Sequence, residues 1–493
     1  MKDSKLTEVL RSFSADELKS FEKFLNSPFF NFGRDLTPFF KIVRSYYPDF
    51  SHKKFTAEHI YSKLYPGKTR SGNINQTIKT LSTELINSCK KFFEQVEFGK
   101  DLNHRNYYLC NQLRTRKLYK DFDKEYKHSA GQQKKSDKGG IPDFIDRYFI
   151  NAVFRDYSLD RNDFLNAFES TLAADENIVS AAIMMCFMIE DIKNISTGYN
   201  LPLRYTLMNN VIENLDPERL LFKMKKNNDR FYPYVLIFFM IYKMNKYKEK
   251  REYFYELKKL LIEHKDLFGQ SENYMFWNIL LSYCSFNGLS KTEFIAIYDH
   301  MLKNNIYKRP DEDFHIVLFR NIIIVKAIAC EFEWLENFIE KYSGELHIEY
   351  RENMYNFSYA HVNFAKGNFE TALEYISKVS YDVFIFKIDV RILLLKTYYE
   401  LSYVEQAYSL IDSTLHFLKS TSEFSDESKF EYRTFVQHIR EILKLRFSEK
   451  TDPHLVSFLE KKIGEGSTNN AGQTDWLLLK IKDMKVSDAK SQM

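Results

Sequence analysis

The densest set of side chains that could grip a cation is Asp311, Glu312, Asp313 and His315. Oxygen donors hold calcium or magnesium when their spacing wraps a loop around the ion, and neither that spacing nor a second histidine accompanies them. Pro310 precedes the group and the apolar run 316–319 follows it. The acids are therefore expected in a first helical turn, where carboxylates suit the amide-rich end of the helix dipole. Residues 65–73, YPGKTRSGN, end like a phosphate-binding loop at Gly67, Lys68 and Thr69, but the glycine required five residues earlier is Ser62. The segment before it reads as a helix, so no strand would fix the amides of a phosphate cradle. No H-E-x-x-H, G-x-S-x-G or G-x-G-x-x-G occurs. Cys89, Cys110, Cys186, Cys284 and Cys330 are an odd set without a C-x-x-C pair, and they read as reduced core residues. No catalytic residue, metal or cofactor is assigned on these grounds.

A third arrangement concerns nucleic acid. In residues 56–93 a short helix containing Ile60 and Leu64 leads through a glycine-containing turn into a longer helix with a buried stripe of Ile74, Ile78, Leu81, Leu85 and Cys89. Its other faces carry Asn75, Gln76, Lys79, Thr83, Asn87 and Lys90, and the turn carries Lys68 and Arg70. Amides and cations displayed on a helix can reach base edges and phosphates. Lys68, Arg70, Asn75, Gln76, Lys79 and Lys90 are the candidate contacts, and a plain solvated face is the alternative. Charge points the same way: residues 1–140 hold 27 Lys+Arg against 16 Asp+Glu, while the remainder holds 44 against 51. Such an excess serves an anionic partner or docking on an acidic protein surface. The segment is similar to the winged-helix modules joined to helical repeats in some bacterial transcription regulators, though residues 13–31 read as helix where those modules carry strands.

The elements that must position these groups are helices. Among 493 residues, 44% are apolar and 28% charged, with only 15 glycines and 10 prolines, too few turn formers for a β fold. The class is all-α. The longest apolar runs, 181–189 and 235–242, fall well short of the ~18 residues of a membrane span, so no membrane partner is expected. Asp3 and Glu8 interrupt the place a signal peptide's apolar core would occupy, which makes the cytoplasm the expected location.

Residues 128–142, HSAGQQKKSDKGGIP, replace aromatic periodicity with small and basic side chains and read as a flexible linker. Residues 464–475 read as a second loop. The expected organisation is a basic helical domain over 1–127, a helical array over 143–463, and a terminal helix with a loose tail over 476–493, docked through Trp476, Leu477, Leu478 and Leu479. Ser14 with Glu17, Ser290 with Glu293, and Ser402 with Glu405 are spaced as capping boxes. Asp216, Pro217 and Glu218 mark a further start.

Within the array a pattern recurs. Gly367, Phe369, Ala372 and Ile376 match Ser402, Val404, Ala407 and Ile411 after 35 residues, and Cys330, Phe332, Leu335 and Ile339 at 37 residues before. Here the chain resembles a degenerate tetratricopeptide repeat, carried by NFAKGNFETALEYI (363–376) and YYELSYVEQAYSLI (398–411) over about residues 330–411. The first-helix Trp, Leu and Gly of the family pattern are missing, and no proline closes either unit. The resemblance implies an α-solenoid of antiparallel helix pairs with a concave face suited to a peptide, helix or partner protein. A non-catalytic scaffold or adaptor is the expected function, and a nucleic-acid-binding regulator acting through residues 1–130 is the alternative.

Overall fold

A computed structural model describes residues 2–30, 33–67, 73–135, 139–198, 201–380, 384–422, 424–448, 452–465 and 473–491. Every regular element among them is helical, as the composition requires. The chain divides into two compact units, Met1–Lys135 with Phe149–Leu172, and Ser136–Tyr148 with Ala173–Met493.

The first unit begins with α1 (Lys5–Arg11), α2 (Ala15–Leu25), α3 (Thr37–Arg44), α4 (Ala57–Leu64) and α5 (Ile74–Lys100). The capping box at Ser14 is formed, with the Glu17 carboxylate accepting from the Ser14 amide at 2.7 Å. Phe13 and Leu18, which bracket it, are both buried. Phe21, at the centre, meets Phe13 at 5.4 Å, Phe40 edge-on at 5.0 Å and Phe92 at 5.4 Å between ring centroids. Such offset and edge contacts add about 0.5–1.5 kcal/mol each to the area they bury. The expected stripe on α5 is realised at Ile78, Leu81, Leu85 and Cys89, while Ile74 is half-buried. Then follow α6 (Leu102–Thr115) and α7 (Tyr119–Lys135). Helix α7 runs well into the stretch expected as a linker, because residues 128–135 contain one helix-breaking residue, Gly131, and Ser129 is buried. Residues 136–138 lie outside the described set. α8 (Ile141–Asp160) and α9 (Phe164–Phe187) each contribute residues to both units, so the boundary is not one linker. In the first unit Phe122 stacks on Tyr157 at 3.9 Å and Tyr126 on Phe154 at 4.1 Å.

The second unit continues with α10 (Ile189–Gly198), α11 (Leu207–Asn214), α12 (Pro217–Lys226), α13 (Tyr232–Lys246), α14 (Glu252–Glu263), α15 (Gln270–Phe286) and α16 (Lys291–Lys303). After them come α17 (Ile316–Ile328), α18 (Phe332–Tyr342), α19 (Ile348–Ala365), α20 (Phe369–Ser377), α21 (Phe384–Glu400), α22 (Val404–Ser420), α23 (Asp426–Arg446), α24 (Pro453–Glu465) and α25 (Gln473–Ser491). Phe164–Thr197 is long and apolar enough to cross a membrane by length and composition alone, with mean hydropathy 1.6 and 44% of its window buried. Counting uninterrupted apolar runs missed it; the backbone breaks it at Met188, between α9 and α10. Four cysteines are buried as expected, but Cys330 is exposed.

The reason for that exposure is the turn Cys330 occupies. Cys330, Gly367 and Ser402 all adopt positive φ, at 58°, 82° and 60°. Each is followed by the same long-range turn bond, from the Glu331, Asn368 and Tyr403 amides to the carbonyls of Lys326, Asn363 and Tyr398 at 3.2, 2.9 and 2.9 Å. This is the left-handed helix stop of a Schellman turn. New helices begin two residues later, at Phe332, Phe369 and Val404. Leu335, Ala372 and Ala407 are then fully buried, with Ile339, Ile376 and Ile411 one turn further. The recurrence read from the sequence is thus a recurrence of turn geometry and of buried positions. In α19 and α20 the hairpin is antiparallel: Phe364 meets Phe369 at 5.4 Å beside the turn and Tyr359 meets Tyr375 at 5.6 Å farther along.

Two other expected boxes are not formed. Glu293 is drawn to Lys258 at 2.7 Å, and the Ser290 hydroxyl turns to Thr292 instead. Ser402 is committed to its left-handed turn and α22 starts at Val404. At Asp216 the cap is present, bonded to the Arg219 amide at 3.0 Å.

Candidate functional site

On α5 the residues singled out for nucleic acid are exposed. Asn75, Gln76, Lys79, Thr83, Asn87 and Lys90 lie three or four residues apart along most of the helix and share one side of it. Lys68 and Arg70 lie outside the described residues. Glu84, next to this row, pairs with Arg34 at 3.7 Å, so the surface is mixed in sign and not uniformly basic. A shallow cleft of about 190 Å³ in the same unit is lined by Leu25, Asn26, Ser27, Pro28 and Asp35 and offers no cation.

The acidic group at Asp311 is not in a helix. Phe314 is buried and its amide is pinned to the Glu345 carbonyl at 2.8 Å, which delays the start of α17 until Ile316. Asp311, Glu312 and Asp313 are exposed in the preceding loop. Among the described residues no three histidine, cysteine or acidic side chains are grouped to hold a metal ion.

A different constellation occupies α17, α19, α21, α23 and α25. The recurring turns set these helices side by side: α17 packs on α19, α19 on α21, α21 on α23 and α23 on α25. Arg320 of α17 reaches past α19 to Asp389 of α21, donating from Nε to Oδ2 at 2.7 Å and from Nη2 to Oδ1. Its remaining nitrogen donates to Asn321 at 2.6 Å. Burial opposes the Arg320 charge, but the attraction and hydrogen bonds of Asp389 outweigh it and raise its pKa. Burial pushes the hydroxyl of nearby Tyr298 upward, and burial beside Asp389 brings Tyr432 to about 12.

His361 on α19 sits near this pair. Burial, with Lys396 and Arg320 adding repulsion, brings its pKa down to about 3, so it is neutral at pH 7. Its Nε2 is buried and has no hydrogen-bond partner. Lys396 on α21 is depressed to about 8 by burial and by Lys291, against the opposing pull of Glu400. Its ammonium lies 5.5 Å from the Phe435 ring and 5.4 Å from Trp476. Cation–π attraction offsets part of its lost hydration.

Trp476 belongs to α25 and is the hub of the remaining contacts. Its Nε1 donates to Glu400 at 3.2 Å and its ring meets Tyr399 edge-on at 5.3 Å. Glu400 also accepts Lys480 at 2.9 Å, and Asp475 pairs with Lys291 of α16 at 2.5 Å. Leu477, Ile481 and Met484 are buried beneath the same helix. Of the four residues expected to dock it, Trp476 and Leu478 are half-buried, Leu477 is buried and Leu479 is exposed.

A lysine held near neutrality beside a neutral imidazole has the acid–base character of a reactive centre. Here two rings lie within 5.5 Å of the ammonium, and the charges that act on it are Lys291 of α16 and Glu400 of its own helix. The contacts present are a bidentate ion pair, two cation–π approaches and an indole donor, all made within the chain. Sequence reasoning missed Arg320, His361, Asp389 and Lys396. The signal was a charge interrupting an apolar run, as in IVLFRNIIIV and IFKIDVRILLLK.

Comparison with protein-family models, with curated proteins and with solved structures found no match.

Proposed function

We propose that the chain is a non-catalytic interaction scaffold, and that its second unit is an α-solenoid of antiparallel, tetratricopeptide-like helix pairs. The three equivalent turns at Cys330, Gly367 and Ser402 support the repeat. Helices α17, α19, α21, α23 and α25 pack on one another whereas α18, α20, α22 and α24 do so less, which supports reading the former as the inner, concave layer. The observation that carries the function is the placement of Arg320, His361, Lys396 and Tyr432 on that layer. Each is costly to bury. Such a surface suits a helix or peptide bearing acids and aromatic rings.

The test is selection of displayed helical peptides on the full chain. Peptides of micromolar affinity, weakened at least tenfold by Lys396→Gln in a chain of unchanged circular dichroism, are expected. Failure to select any, or indifference to Lys396→Gln, overturns the reading.

The second reading, a nucleic-acid contact on α5, is favoured by one observation, the exposed single-sided row of Asn75, Gln76, Lys79 and Lys90. It requires duplex affinity of the full chain that falls steeply with salt and drops on Lys79→Glu with Lys90→Glu. Unchanged binding in that double variant removes it.

A further inference from the structure

Helix α25 stands out among the helices of the inner layer. Its polar contacts to α16 and α21 are Asp475 to Lys291, Lys480 to Glu400 and the Trp476 indole to Glu400, beside the Trp476 ring edge-on to Tyr399. Its buried apolar stripe is short, Leu477, Ile481 and Met484, and its outer side exposes Leu479. It is joined to α24 through GSTNNAG, a sequence without a large apolar side chain. Contacts of this kind resemble those of a bound helix more than those of a core element, because each can be remade by another helix with the same groups. The surface beneath is also one that gains by exposure, since uncovering Lys396 restores water to a charge that Trp476 and Phe435 only partly stabilise.

We propose that α25 is an internal ligand of the scaffold, and that the surface it covers on α21 and α23 is the partner site. The occupant it fits is an amphipathic helix with an acid, then tryptophan and an aliphatic residue, a cation four residues after the tryptophan, and aliphatic residues five and eight after it. That is the order of Asp475, Trp476, Leu477, Lys480, Ile481 and Met484. A short tether gives α25 an effective concentration in the millimolar range. If α25 itself binds with micromolar intrinsic affinity, any separate helix is held off by about 1,000-fold until α25 is weakened, so a peptide selected on the full chain with micromolar apparent affinity binds the uncovered surface about 1,000-fold tighter. The existence of a natural partner rests on the scaffold reading; the cover itself does not.

The probe is a fluorescent peptide of residues 473–491, titrated into the full chain and into the full chain carrying Asp475→Lys and Trp476→Ala. At least 100-fold tighter binding to the variant is expected, and equal binding, or none to the variant, overturns the proposal. Hydrogen exchange on the unaltered chain guards against a misfolded variant. Amides of α25 are expected to exchange at least 100-fold faster than those of α21 and α23. Exchange of α25 in step with α23 marks it as part of the core and overturns the proposal. Both measurements use the chain's own helix, so they can fail while display-selected peptides still bind Lys396, and they can succeed while no such peptide is found.

Discussion

Phe21 at the centre of the first unit is 0% exposed, and Asp389 on α21 of the second is 7% exposed. One is surrounded by rings, the other by an arginine from a helix two pairs away. The contrast extends beyond the two residues. Among the described residues of the first unit, the buried polar side chains are threonines and serines, whereas the second unit buries Lys326, Asp389 and His438. Lys326, 1% exposed, is held by Asp299 at 3.0 Å, Glu331 at 2.8 Å and the Trp334 ring at 4.1 Å. Rings attract one another in many arrangements and specify a compact core loosely. A forked arginine accepts one carboxylate geometry, so it fixes which remote helix lies where.

Substitution can break this comparison from either side, and all three tryptophans, Trp277, Trp334 and Trp476, lie in the second unit, so their fluorescence isolates it. The largest effect is expected from Phe21→Ala, about 4 kcal/mol off the first unit in a urea titration followed by circular dichroism, with the tryptophan transition unmoved. Arg320→Ala is expected to cost the second unit about 3 kcal/mol by tryptophan fluorescence, because Asp389 is left buried without its counter-charge. Adding Asp389→Leu to Arg320→Met should restore most of that loss, and failure to do so would mean that packing, not charge, is what Arg320 supplies.

Acid sharpens the comparison further. His300, His361 and His438, all in the second unit, have pKa values lowered by burial. The unfolded chain takes up protons near pH 6.5 that folded His361 refuses until about pH 3. Stability of the second unit is therefore fully present above pH 6.5 and falls on acidification through that window, approaching about 1.4 kcal/mol per pH unit for His361. His361→Leu should flatten the slope measured by fluorescence.

Lys396 gives the same sign in a second, alkaline window. Folded Lys396 releases its proton near pH 8 and the unfolded chain near 10.5, so stability rises with pH between the two values. Each tenfold loss of proton affinity costs about 1.4 kcal/mol while the charge is retained. The side chain keeps some water, so Lys396→Met is expected to stabilise the second unit by about 1–2 kcal/mol at pH 7 and by less at pH 9. A destabilised variant at pH 7 would show that the cation–π contacts outweigh dehydration. The smallest effect is at a turn: Ser402→Gly should add about 0.5–1 kcal/mol, since glycine relaxes a φ of 60°.

Helix class, the α5 stripe and the matched turns were legible because each is set by residues within a few positions of one another. Gly367 betrays its turn from composition, and Cys330 and Ser402 do so by aligning with it. The site was not legible for the converse reason. Arg320 and Asp389 are 69 residues apart and Lys291 and Asp475 are 184 apart, and no local spacing announces such pairs. The Asp311 group misled because Phe314, a single buried ring, shifted the helix start past it. Ser290 misled because its partner acid found a lysine on another helix.

The place of α25 in the chain also gives it a time. Helices α21 and α23 are both made before it, and residues 447–491 must follow before their cover is complete. At about 5–20 residues per second this takes about 2–9 s. During that interval the nascent surface around Lys396 and Phe435 is open, and a helix already present meets no competitor on the same chain. With α25 as the internal ligand proposed above, synthesis creates, once in the life of each molecule, the state that α25 then closes.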